Sequence, residues 1–149
     1  MLLKLSNIKI SRSIKHENCD ENIRPDLVTF QDGSKDAFGA AAYILWSLKD
    51  GSKQCSLIMS KAKLGPLLDE ADTVRSELSG ATYGSRLKTF ICENSGIKFD
   101  KHIAFLDSRI VQEMIGKNSY GFHTFTALRI REIQQKSDPK YWLPMSPSF

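Results

Sequence analysis

The sequence predicts an α/β domain with five strands, of which the first three form an antiparallel meander. Two observations lead to this fold class. In the first half of the chain, β-rich runs are separated by short turn signals, which is typical of strands joined by hairpins. Near residue 72 the apolar residues change to helical spacing, and helices and strands are interleaved from there to the end.

The composition is that of an ordinary globular protein. A chain of 149 residues suits one domain, and 41% hydrophobic with 26% charged residues excludes a disordered polypeptide. The formal net charge of +4 permits a nucleic-acid partner without requiring one. No apolar run approaches the roughly 20 residues that span a bilayer, so no membrane partner is expected.

The N-terminus and the cysteines indicate a cytoplasmic or nuclear protein. Lys4, Lys9 and Arg12 interrupt the apolar residues at the start of the chain, which is unlike a secretory signal. The 3 cysteines are odd in number and lack the spacing of metal ligands, which favours reduced thiols.

Residues 1–25 are predicted to be a connector that precedes a domain covering residues 26–149. Within the connector, the apolar residues between Leu3 and Ile10 indicate either one short strand or an irregular packed segment. A polar stretch from His16 to Glu21 follows, and Arg24-Pro25 marks the boundary.

The meander is assigned from three apolar runs and the turns between them. The first run, Leu27 to Phe30, leads into the carboxylate of Asp32 and the turn residues that follow it. The second strand is predicted over Phe38 to Leu48 and the third over Gln54 to Lys63, with a hairpin turn at residues 49–52.

The second half of the chain is predicted to combine helices with two more strands. The first helix begins at Asp72 or Thr73, and the residues from Gly80 to Gly84 keep one of its faces thin enough to lie close to a sheet. The remaining elements are a strand over His102 to Leu106, a helix over Arg109 to Ile115 capped by Ser108, a helix over about Phe122 to Gln135, and a strand over Tyr141 to Met145.

Three carboxylates stand out by their positions in these elements. Asp32 ends the first strand, Asp107 ends the fourth, and Glu77 lies early in the first helix. If the first and fourth strands are neighbours, both aspartates emerge at the same end of the sheet, and the helix brings Glu77 to them. Structural roles are also open, because Asp32 can serve as a turn residue and Glu77 as a partner of the helix dipole.

A cluster of ionised carboxylates has a definite chemistry. Such groups repel and stay ionised together only when cations lie among them, and ligands that are all oxygen favour Mg²⁺ or Mn²⁺ over zinc. Two such ions about 4 Å apart can activate a water and stabilise the leaving oxygen of a phosphodiester.

Six short pieces, in order along the chain, resemble one protein family. They are FQDGS with AFGA (30–34 and 37–40), SKAKLGPL (60–67), RSEL (75–78), FLDSRIV (105–111), RIREIQ (129–134) and SDPKYW (137–142). The family is the ribonuclease H-like region of Bel/Pao-type LTR retrotransposon polyproteins, and the resemblance covers about residues 27–149. IKISR, residues 8–12, also resembles the segment that joins a reverse transcriptase to this domain.

The resemblance implies a ribonuclease H-like fold, in which three antiparallel strands are followed by two parallel additions and helices flank the five-stranded mixed sheet. It implies that Asp32, Glu77 and Asp107 are catalytic and hold metal, two Mg²⁺ or Mn²⁺ ions. The implied activity is that of an endonuclease, a hydrolase of the RNA strand of RNA–DNA hybrids. The implied partners are such a hybrid and the rest of a retroelement polyprotein, with its reverse transcriptase and integrase.

Weaker candidates for contacts with nucleic acid are Ser34, Lys61, Lys63 and Ser108. The two lysines lie in the lysine-rich motif of the family, where packing and phosphate contact are both open. The two serines are expected to shape turns rather than to act as nucleophiles, because no His–Asp relay accompanies them.

The histidines give no further site. His16 and Cys19 are three residues apart, but no second ligand pair accompanies them, so a zinc site is not expected. His123 lies between Phe122 and Phe125, which favours a packed or surface histidine over a proton shuttle.

The chain departs from the family pattern at its end. The family continues past the fifth strand into an asparagine-proline-alanine-aspartate motif whose aspartate completes the metal site, whereas this sequence ends at Phe149. The resemblance therefore implies a C-terminally truncated domain without the final helix, from a fragment of a retroelement gene or a degenerate copy. An inactive remnant that only binds nucleic acid, and a structural domain without a ligand, are the alternatives.

Overall fold

The computed structural model describes residues 13–65 and 72–145, and its centre is one five-stranded sheet. The strands are β1 (Asp26–Gly33), β2 (Ala37–Ser47), β3 (Lys53–Leu64), β4 (His102–Leu106) and β5 (Trp142–Pro144). They lie in the order β3-β2-β1-β4-β5. The first three pair antiparallel, β4 adds parallel to β1, and β5 adds parallel to β4. The predicted mixed sheet, with three antiparallel strands and two parallel additions, is confirmed.

In the described part of the chain, three α-helices follow the meander: α1 (Thr73–Asn94), α2 (Arg109–Ile115) and α3 (Thr124–Lys136). The first two begin where predicted because their caps form: Asp72 accepts the backbone N–H of Val74, and Ser108 accepts that of Val111. A 3₁₀ turn at Pro139–Tyr141, not expected from the sequence, leads into β5. None of the helices in the described ranges is long and apolar enough to cross a membrane.

All three helices pack on one face of the sheet. One buried cluster joins Leu78 of α1 and Trp142 of β5 to apolar side chains of β4, α2 and α3. A second cluster joins Leu27 of β1 to Leu87 and Ile91 of α1. Removing apolar surface from water stabilises this arrangement by about 25 cal/mol per Å², so these clusters are what hold the helices on the sheet.

The other face of the sheet, called the open face below, carries a row of apolar and aromatic side chains. Phe30 of β1 stacks on Phe105 of β4 with ring centroids 5.2 Å apart, and it meets Tyr43 of β2 in a T-shaped arrangement at 5.8 Å. In register with these residues, Leu57 lies beside Tyr43 and Leu143 lies beside Phe105. Phe30, Leu57 and Leu143 are 37%, 54% and 39% exposed, so this row is partly open to solvent.

Two glycines let α1 lie directly on the end of β1. A Cβ built on Gly80 would stand 2.5 Å from the carbonyl oxygen of Asp32, and one built on Gly33 would overlap the carbonyl group of Ser76. Both overlaps are with backbone atoms, so a larger residue fits neither position unless the helix moves away from the strand. The predicted thin face of the helix is therefore present.

The described part of the predicted connector, residues 13–25, packs against the sheet. Cys19 pairs with Leu48 in an isolated antiparallel bridge and is 3% exposed. Trp46 of β2 donates its indole N–H to the carbonyl oxygen of Ile14 at 2.8 Å. The short strand expected within the first 12 residues lies outside the described residues, and the domain boundary near residue 25 stays a prediction.

Polar side chains are buried where β1, β4 and α1 meet. His102 makes a 3.0 Å hydrogen bond to Thr29 through Nε2, while its buried Nδ1 has no partner among the described residues. Gln31 donates to the carbonyl oxygen of Phe105 at 2.9 Å. Burial, and to a lesser extent the charge of Lys88, lowers the pKa of His102 from 6.5 to about 3, so the ring is neutral at physiological pH.

Replacing Gly80 with alanine tests the close contact between α1 and β1. Alanine is the better helix former by about 1 kcal/mol, so an uncrowded site would gain stability. Because the added Cβ meets the Asp32 carbonyl, we expect Gly80→Ala to lower the free energy of unfolding by about 1–3 kcal/mol. Urea unfolding followed by circular dichroism measures the change.

Gly116→Ala is the matched control for that substitution. Gly116 ends α2 with φ −75°, and the nearest neighbour of an added Cβ is 3.6 Å away, which is ordinary contact. We expect no loss of stability there. A Gly80→Ala protein that is as stable as the wild type would contradict the contact.

The lowered pKa of His102 makes the fold sensitive to acid. The unfolded chain binds a proton at this histidine near pH 6.5, whereas the folded chain does so only near pH 3. The stability contributed by the neutral ring is therefore complete above pH 6.5 and is lost as the pH falls toward 3. At a pH of about 5 the expected loss in free energy of unfolding is about 2 kcal/mol.

His102→Gln separates this effect from other titrating groups. Glutamine keeps a hydrogen-bond partner for Thr29 but does not titrate. We expect the variant to lose the part of the pH dependence that lies between pH values of about 7 and 5, measured by urea unfolding. An unchanged pH dependence would show that another group is responsible.

Candidate functional site

Asp32 lies at the end of β1 and points to the open face of the sheet. Its neighbours Gln31 and Gly33 are buried toward α1, so alternation along the strand turns Asp32 the other way. The residue is exposed, and its Oδ1 accepts the backbone N–H of Gly33 at 2.8 Å. Asp32 thus accepts a hydrogen bond from the backbone of the residue that ends β1, and it also presents a carboxylate at the end of the sheet.

Asp107 follows β4 directly, in the strand beside that of Asp32. The parallel pairing of β1 with β4 ends at Gln31 and Leu106, so one more step along each strand reaches Asp32 and Asp107. Neighbouring strands lie about 4.8 Å apart. The parallel register therefore places both aspartates at the same end of the sheet.

Glu77 lies where α1 touches the end of β1. The position of a Cβ on Gly33 is only 2.9 Å from the backbone nitrogen of Glu77. One turn further along the helix, Gly80 meets the carbonyl oxygen of Asp32. The contact of the glycines therefore holds the backbone of Glu77 beside the end of β1, and the glutamate is half-buried.

The backbones of Asp32, Glu77 and Asp107 converge, but their side chains are not gathered into a ready metal site. Within residues 13–65 and 72–145, no three His, Cys, Asp or Glu residues form a group that could hold a metal ion. The chemistry of the donors does fit a metal, because three carboxylates supply only the hard oxygen ligands that Mg²⁺ and Mn²⁺ prefer. Both aspartates are exposed, so their side chains can turn without disturbing the core.

An open depression of about 410 Å³ adjoins Asp32 on the open face. Phe30, Ala41 and Met145 give it mainly apolar walls, and Ser34 also lines it. The depression leaves the end of β1 accessible from the face of the sheet that carries no helix in the described part of the chain.

Ser34 and Ser108 shape backbone turns, as expected from the sequence. Ser34 Oγ donates to the carbonyl oxygen of Ala37 at 3.0 Å and accepts the Ala37 N–H at 3.2 Å. Ser108 Oγ accepts the N–H of Val111 at 3.3 Å and so caps α2. A contact of either hydroxyl with nucleic acid stays a prediction.

Lys61 and Lys63 are exposed residues of β3 that point to the same face of the sheet. Lys61 Nζ lies 5.1 Å from the centre of the Phe90 ring, a cation–π contact with α1. Lys63 lines a groove that runs across α1 toward α3. His123 is exposed at the N-cap position of α3, and its side chain makes no capping hydrogen bond, so it is a surface histidine.

An ion-pair network joins α1 to α3 beside that groove. Arg86 donates to the two carboxylate oxygens of Glu132 at 2.8 and 2.9 Å, and Lys136 donates to the same carboxylate at 2.6 Å. The hydrogen bond from Arg86 is the main reason that the pKa of Glu132 falls to about 2. Burial and the nearby charges of Arg86 and Arg75 lower the pKa of Arg129.

Residues 1–108 match the family model described as "Pao retrotransposon-like RNaseH-like domain". The match spans more than two thirds of the chain and includes Asp32, Glu77 and Asp107. The chain belongs to this family. The prediction of a ribonuclease H-like domain of a Bel/Pao-type retrotransposon polyprotein is therefore confirmed, and the sheet described above is the ribonuclease H-like fold of this Pao-type domain.

Solved structures similar to the Pao-type domain include cellular and viral proteins. The N-terminal ribonuclease H domain of a Mycobacterium tuberculosis protein is 13% identical, with a TM-score of 0.48 over 82% of this chain and 81% of that one. Ribonuclease H1 of the archaeon Halobacterium salinarum is 15% identical, with a TM-score of 0.45 over 80% and 83%. A foamy viral protease–reverse transcriptase in complex with an RNA/DNA hybrid is 7% identical, with a TM-score of 0.49 over 96% and 20%. No curated protein sequence matches the chain.

Substitution of Ser108 tests whether its hydroxyl serves the fold of the Pao-type domain. Ser108→Ala removes the N-cap of α2, so we expect the free energy of unfolding to fall by about 1 kcal/mol. Ser108→Asp keeps an acceptor at the cap and should stay close to the wild type in denaturant unfolding. If Ser108→Ala weakened nucleic-acid binding while stability stayed unchanged, the hydroxyl would belong to a ligand site instead.

Proposed function

We propose that this Pao-type domain hydrolyses the RNA strand of RNA–DNA hybrids with the help of divalent metal ions. The observation that carries the proposal is the contact of α1 with the end of β1, beside the parallel pairing of β1 with β4. Together these features bring three carboxylate residues to one end of the sheet. Family membership supports the proposal, because the matching family is ribonuclease H-like and the match includes the three positions.

Asp32, Glu77 and Asp107 would hold the ions, as a two-ion set of Mg²⁺ or Mn²⁺. When bound, such ions activate a water and stabilise the charge that develops on the leaving oxygen. The residues of the chain would bind the ions and orient the ligands around them. Asp32 and Asp107 provide ligands from adjacent strands, Glu77 approaches from the helix, and the Gly33 N–H orients the Asp32 carboxylate through its 2.8 Å hydrogen bond.

The proposed substrate is read by shape rather than by sequence. A protein distinguishes an RNA–DNA hybrid from duplex DNA through its geometry and its 2′-hydroxyl groups. The net charge of +4 favours approach to a polyanion. We expect the domain to act next to the reverse transcriptase and integrase of a retroelement polyprotein, in the cytoplasm or nucleus, and its free cysteines agree with a reducing compartment.

A second candidate function is binding of nucleic acid without cleavage. The observation that favours it is that the carboxylate side chains form no group that could hold a metal ion in the part of the chain that the structure describes. Binding driven by charge alone falls steeply with salt and needs no divalent ion.

Neutralising Asp107 tests the proposed hydrolysis. Asp107→Asn keeps the size of the side chain but removes its charge. We expect cleavage of labelled RNA in an RNA–DNA hybrid to fall at least about 100-fold with Mg²⁺ or Mn²⁺, because the stabilisation that the ions give is worth several kcal/mol. The matched control is Asp100→Asn, an exposed aspartate ahead of β4 at the other end of the strand, which should cleave at the rate of the wild type.

The assay also separates the two candidate functions. Cleavage that survives in Asp107→Asn would contradict the assigned site. A wild-type protein that does not cleave, but binds the hybrid in EDTA with strong salt dependence, would be the binding-only domain.

A further inference from the structure

A groove crosses the outer side of α1, between the first turns of α3 and the end of β3. Its volume is about 420 Å³. Among the described residues, three cationic side chains line it, and each comes from a different element: Lys63 of β3, Arg86 of α1 and Arg129 of α3. No acidic side chain of the described residues lines the groove. The concentration of positive charge in a concave surface favours an anionic ligand.

Phe125, an aromatic residue that lines this groove, contacts two arginines. The guanidinium carbon of Arg129 lies 3.5 Å from the centre of the Phe125 ring, and that of Arg75 lies 4.7 Å from it. Cation–π contacts of this kind fix the planar guanidinium groups, so less conformational entropy is lost when they bind an anion. Phe125 is half-buried, so its ring is held in place while it contacts both guanidinium groups.

The cations around the groove are not fully neutralised by the protein. Glu132 pairs with Arg86, but its carboxylate is shared with Lys136. The lowered pKa of Arg129 has burial as its main cause, and the charges of Arg86 and Arg75 add to it. Like charges held this close are relieved when an anion binds among them.

We propose that this groove is a clamp for the backbone phosphates of a nucleic-acid strand. Arg86 and Arg129 line the groove and are its main contacts, with Lys63 at its far side. Arg75 adds a charge through its contact with the Phe125 ring. Guanidinium groups bind phosphate through paired hydrogen bonds, and such contacts position a nucleic acid without reading its sequence.

The clamp deepens the proposed function, on which its choice of ligand rests. α1 carries both Glu77, at the catalytic end of the sheet, and Arg86, about 13 Å further along the helix axis. Arg75 lies on the same helix two residues before Glu77. The groove crosses the helix that carries Glu77, so the clamp would set where a bound strand lies relative to the carboxylates.

Binding of a labelled RNA–DNA hybrid in EDTA tests the clamp independently of cleavage. Arg75→Gln with Arg129→Gln removes the arginines that contact Phe125. We expect the affinity to fall at least about tenfold, and the slope of log Kobs against log salt concentration to become shallower by about 1.8, because two phosphate contacts are lost. Phe125→Leu keeps every charge and should weaken binding while leaving the slope close to that of the wild type.

The matched control is Lys98→Gln with Lys101→Gln. It removes the same charge from two exposed lysines that lie ahead of β4, away from the groove. We expect this control to bind within about threefold of the wild type, since only the long-range charge changes. Equal losses in the two double variants would overturn the clamp, because net charge alone would then explain the binding.

Two further measurements keep the outcome decisive. If circular dichroism shows that the arginine double variant does not fold, Arg129→Lys is used in its place. This variant keeps the charge but removes the planar guanidinium group, and it should still weaken binding. Poly-glutamate that competes as well as an oligonucleotide of equal charge would show a groove for carboxylates and overturn the phosphate assignment.

If the wild type does not cleave but the double variants differ in affinity, hydrolysis fails and the clamp stands. If the wild type cleaves and the double variants bind equally, hydrolysis stands and the clamp fails.

Discussion

Close backbone contact between α1 and the end of β1 determines where the candidate functional residues lie. The absence of side chains at Gly33 and Gly80 lets the helix rest on the strand, and the two buried clusters on either side hold it at that distance. Glu77 therefore reaches the end of β1. Parallel pairing of β1 with β4 has already placed Asp107 beside Asp32 at that end. A helix held further from the sheet would separate the glutamate from both aspartates.

The same helix separates two kinds of chemistry. Its first turns carry Glu77 toward the end of the sheet, whereas its outer side carries Arg75 and Arg86 toward the groove shared with α3. Acidic and basic groups thus occupy different sides of one rigid helix, so the proposed clamp would hold a nucleic acid on the side of α1 that does not carry Glu77. The open face of the sheet has a different character, because it carries a row of aromatic rings that contact one another.

Local signals in the sequence predicted much of this fold. The observed bounds of β4 and α2 are the ones that the sequence predicts. Those of α2 follow from local signals, because Ser108 caps the helix and Gly116 ends it. Tertiary packing fixed what the sequence did not reveal. The spacing of Phe125 and Arg129 in one helix is visible in the sequence, but Arg75 joins them from a helix about 50 residues away. The acidic residues were placed by their strand ends and by family resemblance, but the sequence did not reveal that their side chains form no metal-binding group among the described residues.

The location of a bound Mn²⁺ ion tests the central claim most directly, because a paramagnetic ion broadens the amide resonances of the residues nearest to it. We predict that substoichiometric Mn²⁺ broadens the amide signals of Gly33, Glu77 and Ser108 first, that those of Gly51 and Gly121 persist, and that Asp32→Asn abolishes the selectivity. Broadening that is even along the chain, or that begins at a different acidic residue such as Glu113, would contradict a metal site built by the contact of α1 with β1.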